Sequence, residues 1–253
     1  MNIKFICLNL WQGGNLFDGI LDFLKAEDAD IVALQEVYNG VTPNLERKYR
    51  SLQVIQDKLN YPFTDFAPAF LDNRKEGKIE QGNAVLSKFP IIENNIEFFN
   101  EPYRKDYTEE EKNFPSCPRN LEYVVLDTPE GNLNIFNLQG VWDLDGDNYS
   151  ERRQKMSDVI IKNIRGKENV ILAGDTNARP TNEAIRRIGK YLSNIFAGEL
   201  KTTFNMKRKD DQGYAQAVVD MIFVSPKIKV ISKSCPNIDI SDHLPLIANL
   251  QIK

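Results

Sequence analysis

Histidine is nearly absent from this chain, since His243 is the only one in 253 residues. Cysteine is also scarce: the three cysteines, Cys7, Cys117 and Cys235, are far apart and form no C-x-x-C or Cys/His pattern. An odd number of separated cysteines argues against a thiolate zinc site and against a disulfide framework. Any metal chemistry would therefore rely on oxygen ligands and this one imidazole.

Long apolar runs are missing as well. No stretch approaches the ~20 residues that a membrane helix needs. The N-terminal segment MNIKFICLNL has one lysine and a short apolar run that breaks at Asn9, which is typical of a first strand and not of a signal peptide. We therefore expect a cytoplasmic protein without a membrane segment.

An excess of positive charge is missing too, because the formal net charge is −4 at pH 7. This argues against binding nucleic acid by bulk electrostatics alone, although a local basic groove can exist on an acidic protein. The composition, with 42% hydrophobic and 27% charged residues, is typical of globular domains. No repeat or linker divides the chain, so we expect one α/β domain over residues 1–253, with a monomer as the default state.

Apolar runs rich in Val, Ile and Phe alternate with helical patterns in the first half of the chain. The runs that predict strands are 3–9, 30–35, 84–87, 122–127, 133–138, 169–174, 218–225, 228–234 and 244–252. Helices are predicted within 44–59, after a Ser150 cap, and from a Thr181 cap to about Leu192. Residues 121–138 and 217–252 are typical of antiparallel hairpins. The polar, proline-containing segment 100–120 is typical of a functional or disordered loop.

Several predicted strands end in, or are preceded by, polar side chains that would be costly to bury alone. The residues that share this position are Asn9, Gln35, Glu36, Asp175, Asn177, Asp242 and His243. Because the start of one antiparallel strand lies beside the end of the next, one edge of a sheet could collect them. Asp220 lies inside an apolar strand and needs a partner, for which the lone imidazole is a candidate.

That edge would combine several carboxylates with carboxamides and one histidine. Carboxylates this close repel each other unless a positive charge intervenes, and oxygen ligands without thiolates suit a hard cation such as magnesium or manganese. Hydrolysis at phosphorus fits this set, because a metal neutralises the phosphate while a carboxylate or imidazole activates water. Taken singly, each residue is more often a turn former, a surface charge or a structural histidine. The combination carries the hypothesis.

Six segments, in this order, resemble the endonuclease/exonuclease/phosphatase superfamily: LNLWQ, ALQEV, GNAVLSKFPI, ILAGDTNARP, VVDMIFVS and SDHLPL. The resemblance covers essentially the whole chain. It implies the α/β (α+β) class and a four-layer α/β/β/α sandwich with two mixed β-sheets packed face to face. It also implies a phosphodiester hydrolase that depends on a divalent metal.

The resemblance implies a role for each matching residue. The residues implied to bind magnesium or manganese are Glu36, directly, with Asn9 and Asp242 close by. Asp175 would orient or deprotonate the attacking water, and Asn177 would hold a phosphate oxygen. His243 would act at the phosphate as a base or as a charge stabiliser, and Asp220 would set its tautomer.

One position departs from the family pattern. Many relatives carry a second histidine in the strand that matches LNIFNLQG, and here Gln139 takes its place. Glutamine can donate a hydrogen bond to a phosphate oxygen but cannot shuttle a proton at neutral pH. A positioned general acid contributes roughly 10²–10⁴-fold in rate, so either another group protonates the leaving oxygen, or the leaving oxygen needs little help, or the enzyme is slow or inactive. Tyr103, Tyr107 and Arg119 are candidates to reach the site.

The substrate is less well defined by the sequence. The basic run 207–209, near Phe204 and Tyr214, is a candidate nucleic-acid contact. Asp210 and Asp211 follow it at once, and a solvated turn is the commoner role for such a run.

Trp11 and Trp142 follow strand ends and could stack on a base or a sugar, with packing at the rim as the alternative. Our first hypothesis is a nuclease that acts on DNA or RNA, for which Gln139, Arg119 and Trp142 are the substrate-binding candidates. The second is a phosphatase or phosphodiesterase for a small phosphorylated or lipid-headgroup substrate, which the acidic net charge favours. The third is a weakly active or inactive binding protein on the same scaffold, which Gln139 favours.

Overall fold

The computed structural model describes residues 1–40, 42, 44–108, 113–143, 148–209 and 216–253. The strands are β1 (Asn2–Asn9), β2 (Ile31–Gly40), β3 (Phe63–Arg74), β4 (Gly77–Ser87), β5 (Ile91–Asn100), β6 (Arg104–Tyr107), β7 (Arg119–Thr128), β8 (Gly131–Gln139), β9 (Val170–Asp175), β10 (Ser193–Asn194), β11 (Asp220–Val224), β12 (Lys229–Ser234) and β13 (Leu246–Gln251). The α-helices are α1 (Phe17–Glu27), α2 (Ser51–Lys58), α3 (Glu151–Ile164) and α4 (Glu183–Ile188).

The strands form two mixed β-sheets. The first sheet has the order β12-β13-β1-β2-β4-β3-β6, and the second has the order β10-β11-β9-β8-β7-β5. Parallel pairs are β1 with β2 and β3 with β6 in the first sheet, and β8 with β9 in the second. The other pairs are antiparallel, so the predicted pair of mixed sheets is confirmed.

Side chains that alternate along the strands define the layers. Phe5 and Cys7 of β1 belong to the core between the two sheets, whereas Ile6 and Leu8 pack with α1 and α2 on the outer face. The outer face of the second sheet packs against α3 and α4, for example through Ile160. The result is a sandwich of helices, sheet, sheet and helices, as expected.

The helices agree only in part with the sequence patterns. Ser150 caps α3 as predicted, because its Oγ accepts a hydrogen bond from the Arg153 amide at 3.4 Å. The Thr181 cap is wrong by one residue, since Asn182 Oδ1 accepts from the Ala184 amide at 3.0 Å, and α4 ends at Ile188. The 44–59 pattern gives a short 3₁₀ turn followed by α2. No described helix is long and apolar enough to cross a membrane.

Two expectations about strands are also corrected. The segment 100–120 contains β6, which pairs with β3, and a 3₁₀ turn at Phe114–Ser116. Residues 109–112 of that segment lie outside the described part of the chain. In 217–252, β12 and β13 form the expected antiparallel pair, but β11 lies in the other sheet between β9 and β10. Because β11 is apolar on both faces, its pattern does not indicate which sheet it joins.

Candidate active site

Polar side chains from both sheets meet at one end of the sandwich. The strands of the first sheet contribute Asn9 and Glu36, and the segment before β13 contributes Asp242 and His243. The second sheet contributes Arg119, Gln139, Asp175 and Asp220. The expectation that a single sheet edge collects these groups is therefore wrong: the residues come together because corresponding ends of two stacked sheets face each other.

Amide groups join the two halves of this site. Asn9 Nδ2 donates to Glu36 Oε1 at 3.0 Å and to Asp175 Oδ2 at 3.2 Å. Gln139 Nε2 donates to the same Glu36 oxygen at 2.7 Å, and Arg119 Nη1 donates to Gln139 Oε1 at 2.5 Å. Hydrogen bonds across the seam between the sheets therefore fix the position of the Glu36 carboxylate.

The backbone of β2 turns Glu36 toward the site. The register of β2 against β4 shifts between Leu34 and Val37, which marks a β-bulge, and Glu36 has a φ of 55°. A bulge re-aims side chains: Gln35 points into the core, where its Nε2 donates to Asn137 Oδ1 at 2.7 Å. A non-glycine residue in this conformation costs on the order of 1–3 kcal/mol and persists where the surroundings hold it.

His243 is paired with Asp220. Its Nδ1 lies 3.1 and 2.9 Å from the two carboxylate oxygens, and the ring packs edge-on against Phe204 at 4.7 Å between centroids. Thr203 Oγ1 accepts from the amides of Val219 and Asp220, which fixes the start of β11. Burial lowers the pKa of His243, but Asp220, followed by Asp175 and Asp242, outweighs burial and raises this pKa to about 10. The pair is therefore an imidazolium and a carboxylate at neutral pH.

Asp175 is a buried carboxylate whose pKa is shifted toward neutral pH. It is 2% exposed, and its Oδ1 accepts from the Asn177 amide at 2.9 Å. The pKa of Asp175 is raised to about 6, mainly by burial; the charge of His243 opposes this rise, and the charges of Asp220 and Glu36 add to it. This side chain can therefore exchange a proton close to neutral pH.

Asp242 is paired with Lys209, a residue for which the sequence pattern favoured a solvated turn. Lys209 Nζ lies 2.7 Å from Asp242 Oδ2 and 5.1 Å from the centre of the Phe204 ring. Burial lowers the pKa of Lys209, but Asp242, followed by Glu36 and Asp175, raises it above its ordinary value. Lys209 is therefore a fixed positive charge at the site.

The rest of the basic run is less close to the site. Arg208 forms an ion pair with Asp239 at 2.7 Å, and Lys207 is exposed. Three residues that were considered together with this run lie outside the described part of the chain: Asp210, Asp211 and Tyr214.

Asn177 lies in a tight turn after β9, with a φ of 50°. Its Nδ2 donates to Gly140 O at 3.1 Å, and Arg153 Nη2 donates to its carbonyl oxygen at 2.8 Å. Gly140 is required here, because a Cβ on it would lie 2.1 Å from Thr176 O. Arg153, which is 1% exposed, was not predicted from the sequence. The sequence feature that could have identified Arg153 is a charged residue on the apolar face of α3.

Three candidates do not reach the site through their described contacts. Trp142 packs edge-on against Phe114 at 5.4 Å between ring centroids. Tyr107 is buried against Phe70, and Tyr103 donates to Glu80 Oε1 at 2.9 Å. Burial, followed by Glu80, raises the pKa of Tyr103 to about 12, so Tyr103 does not have the acidity expected of the missing proton donor.

The donor set fits a hard divalent cation. Asp175, Asp220 and His243 each offer a ligand atom, all within 4.8 Å of one another, so this buried group could hold a metal ion. Glu36 and Asp242 add two more carboxylates beside it. Oxygen-rich sites of this kind suit magnesium or manganese.

Comparison with solved structures finds the same fold in other proteins. An endonuclease/exonuclease/phosphatase from Beutenbergia cavernae is 16% identical, with a TM-score of 0.76 over 99% of this chain and 72% of its own. The human Nocturnin catalytic domain, solved with a bound sulfate anion, is 17% identical, with a TM-score of 0.73 over 100% and 94%. A mannosyl-6-phosphatase from Bacteroides thetaiotaomicron is 19% identical, with a TM-score of 0.70 over 99% and 100%. At these identities the likeness shows the fold alone.

Sequence comparison then shows the family. A search of curated protein sequences found no match. The model of the Endonuclease/Exonuclease/phosphatase family matches residues 6–243, a span that includes every residue of the site from Asn9 to His243. The chain therefore belongs to the endonuclease/exonuclease/phosphatase family of metal-dependent phosphoesterases.

Proposed function

We propose that this protein is a magnesium- or manganese-dependent phosphoester hydrolase with Asp175 as the base and His243 as the charged partner of the phosphate. The observation that carries the proposal is the convergence of Asp175 with the His243–Asp220 pair within 4.8 Å. The neighbouring groups hold the pKa of Asp175 at about 6 and that of His243 at about 10. Two titratable groups whose pKa values are pushed apart are the usual signature of an acid and base pair.

Glu36, with Asn9 and Asp242, is the better candidate to hold the metal. Asp220 and His243 Nδ1 already share a hydrogen bond at 2.9 Å, and a protonated imidazole is not a ligand. Glu36 accepts its hydrogen bonds from neutral amide groups, which orient a carboxylate without neutralising it. A divalent cation held there would neutralise charge on the phosphate and polarise it toward attack.

Asp175 would orient the attacking water and accept its proton. Above a pH of about 6 this side chain is ionised, and the Asn177 amide holds Oδ1 so that the other oxygen is turned toward Asn9. His243 would use Nε2, since Nδ1 is held by Asp220, to stabilise a phosphate oxygen and to supply a proton to the leaving oxygen. One imidazole then serves where many relatives are expected to use two.

For the substrate, we favour a compact phosphorylated molecule. In the described surroundings of the site, Arg208 is held by Asp239, and Lys209, paired with Asp242, could contact one phosphate group, so this run offers no continuous positive surface to a long polyanion. One relative of the same fold is named as a mannosyl-6-phosphatase. A nuclease remains the second candidate, because the half-buried Trp11 lies two residues after Asn9 and its amide donates to Asn9 Oδ1 at 2.9 Å. An indole so close to the site could stack on a base.

The test is a hydrolysis screen with p-nitrophenyl phosphate, bis-p-nitrophenyl phosphate, sugar phosphates and oligonucleotides, with magnesium, manganese or EDTA. We expect metal-dependent release of phosphate or alcohol that EDTA abolishes. If the protein is a nuclease, its affinity for an oligonucleotide should fall on the order of 10³-fold or more as salt rises from 50 to 200 mM. Turnover of a small ester should change little over the same range. Hydrolysis that persists in EDTA would reject the metal-dependent mechanism.

A further inference from the structure

Gln139 stands where the family pattern favours a histidine, and its two polar ends are both engaged. We infer that Gln139, oriented by Arg119, is a positioning residue for the metal-binding carboxylate of Glu36. The inference rests on the proposed function, because it assumes that Glu36 holds the cation. In this role Gln139 orients the Glu36 carboxylate, whereas a histidine at the same position could transfer a proton.

The orientation of the Gln139 amide follows from its partners. The Arg119 guanidinium only donates hydrogen bonds, and an ionised Glu36 only accepts them. The amide oxygen must therefore face Arg119, at 2.5 Å, and the amide nitrogen must face Glu36, at 2.7 Å. Both Arg119 and Gln139 are 7% exposed, so water competes little for either contact.

The strand that carries Gln139 is itself pinned next to the site. The Gly140 amide donates to Asp175 O at 2.6 Å, which ties the end of β8 to the end of β9. No larger residue than glycine fits there, as the close approach to Thr176 shows. Gln139 therefore reaches Glu36 from a fixed point in the other sheet.

The contacts of Glu36 orient its carboxylate and do not neutralise its negative charge. Its Oε1 accepts from Gln139 and Asn9, and its Oε2 accepts from the Gln12 amide at 2.7 Å. All three donors are neutral amide groups, so the carboxylate keeps its negative charge for a cation. Residues that orient metal ligands in this way typically contribute 10–100-fold to metal affinity.

The test measures manganese binding by calorimetry in the absence of substrate. We expect Gln139→Met to weaken binding about 10–100-fold, because its side chain fills the same space without an N–H. Gln139→His, whose ring N–H can still donate to Glu36, should bind within a few-fold of the wild type. Asn134→Leu is the matched control: Asn134 is also buried on β8, but its bonds are to Tyr123 and Glu168 at the far end. Circular dichroism checks that each variant is folded.

The outcomes separate the inference from the proposed function. Equal affinity of wild type and Gln139→Met overturns the inference and leaves the proposed function intact. A tenfold loss in Gln139→His also overturns it, and this holds even if Gln139→Met does not fold. A wild-type protein that binds no manganese overturns the proposed function, and the inference falls with it. At saturating manganese, Gln139→Met should regain activity, which loss of a proton donor would not permit.

Discussion

His243 presents one ring nitrogen, Nδ1, to both carboxylate oxygens of Asp220, at 3.1 and 2.9 Å. This contact joins the segment before β13 in the first sheet to the start of β11 in the second. It fixes the proton on Nδ1 and leaves Nε2 for a substrate. The same contact keeps the imidazole charged, because the carboxylate raises the pKa of His243 to about 10 against the effect of burial.

Asp220→Asn should change the pH dependence of catalysis. In the wild type we expect kcat/KM to rise as Asp175 ionises near or below pH 6 and to fall as His243 loses its proton near or below pH 10, since a bound cation lowers both values. Removal of the Asp220 charge should move the alkaline limb toward neutral pH. Asp239→Asn, an exposed aspartate that pairs with Arg208, is the control. An alkaline limb that stays in place would exclude His243 as its source.

Stability should respond to pH through the same histidine. The pKa of His243 is raised from 6.5 to about 10 on folding, so its stabilising effect is complete below about pH 6.5 and is lost as pH rises toward 10. We expect the free energy of unfolding in urea, measured without metal, to fall between pH 7 and pH 10. The fall should be smaller in Asp220→Asn, and an equal fall in both proteins would contradict the pairing.

Asp175→Asn should abolish most of the activity. The amide keeps the shape of the side chain and one acceptor oxygen for the Asn177 amide, but it cannot accept a proton from water, so kcat should drop roughly 10²–10⁴-fold. Steady-state rates with bis-p-nitrophenyl phosphate and with a phosphomonoester measure the effect. Asp127→Asn, on the exposed end of β7, should leave the rate unchanged. A rate within threefold of the wild type for Asp175→Asn would remove this residue from the mechanism.

Lys209→Met should weaken substrate binding more than it slows the chemical step. A hydrogen bond between a cation and a phosphate contributes about 1.5–3 kcal/mol, so KM should rise at least about tenfold while kcat changes less. Lys207→Met is the matched control, because Lys207 is exposed two residues away in the same turn. If both variants raise KM equally, the effect comes from the general charge of the turn and not from the contact of Lys209 with the site.

Gln139→His should not give a large gain in rate. The space occupied by the Gln139 amide lies between Arg119 and Glu36, so a histidine there would be held by the same neighbours and not by the leaving group. We expect kcat within a few-fold of the wild type for substrates with poor leaving groups. A gain of about 100-fold or more would instead show that the native chain lacks a general acid.

The local parts of this structure were predictable from the sequence. Ser150 caps α3 because a serine before an apolar helical pattern is a local signal. The apolar run before Asp175 is also a local signal, and it predicts β9. By contrast, α1 begins after Leu16, which makes no side-chain cap bond, so its start carries no capping signal.

The geometry of the site was not predictable in the same way. The positive φ of Glu36 depends on the register between β2 and β4, which is set by contacts across the sheet. The pairing of Lys209 with Asp242 depends on how a distant turn folds over the strand end. Sequence patterns identified most of these residues, and only the packing of two sheets determines which of them touch.

The division of the site between two sheets ties activity to how those sheets are assembled. Asn9 and Glu36 reach Asp175 and Gln139 only across the seam, so neither half of the sandwich carries a functional centre by itself. A slight separation of the halves would disperse the charges while each half keeps its strands. Gln139 would then no longer orient Glu36, so metal affinity would fall before the circular dichroism signal does, and it would serve as a sensitive indicator of whether the two halves are docked.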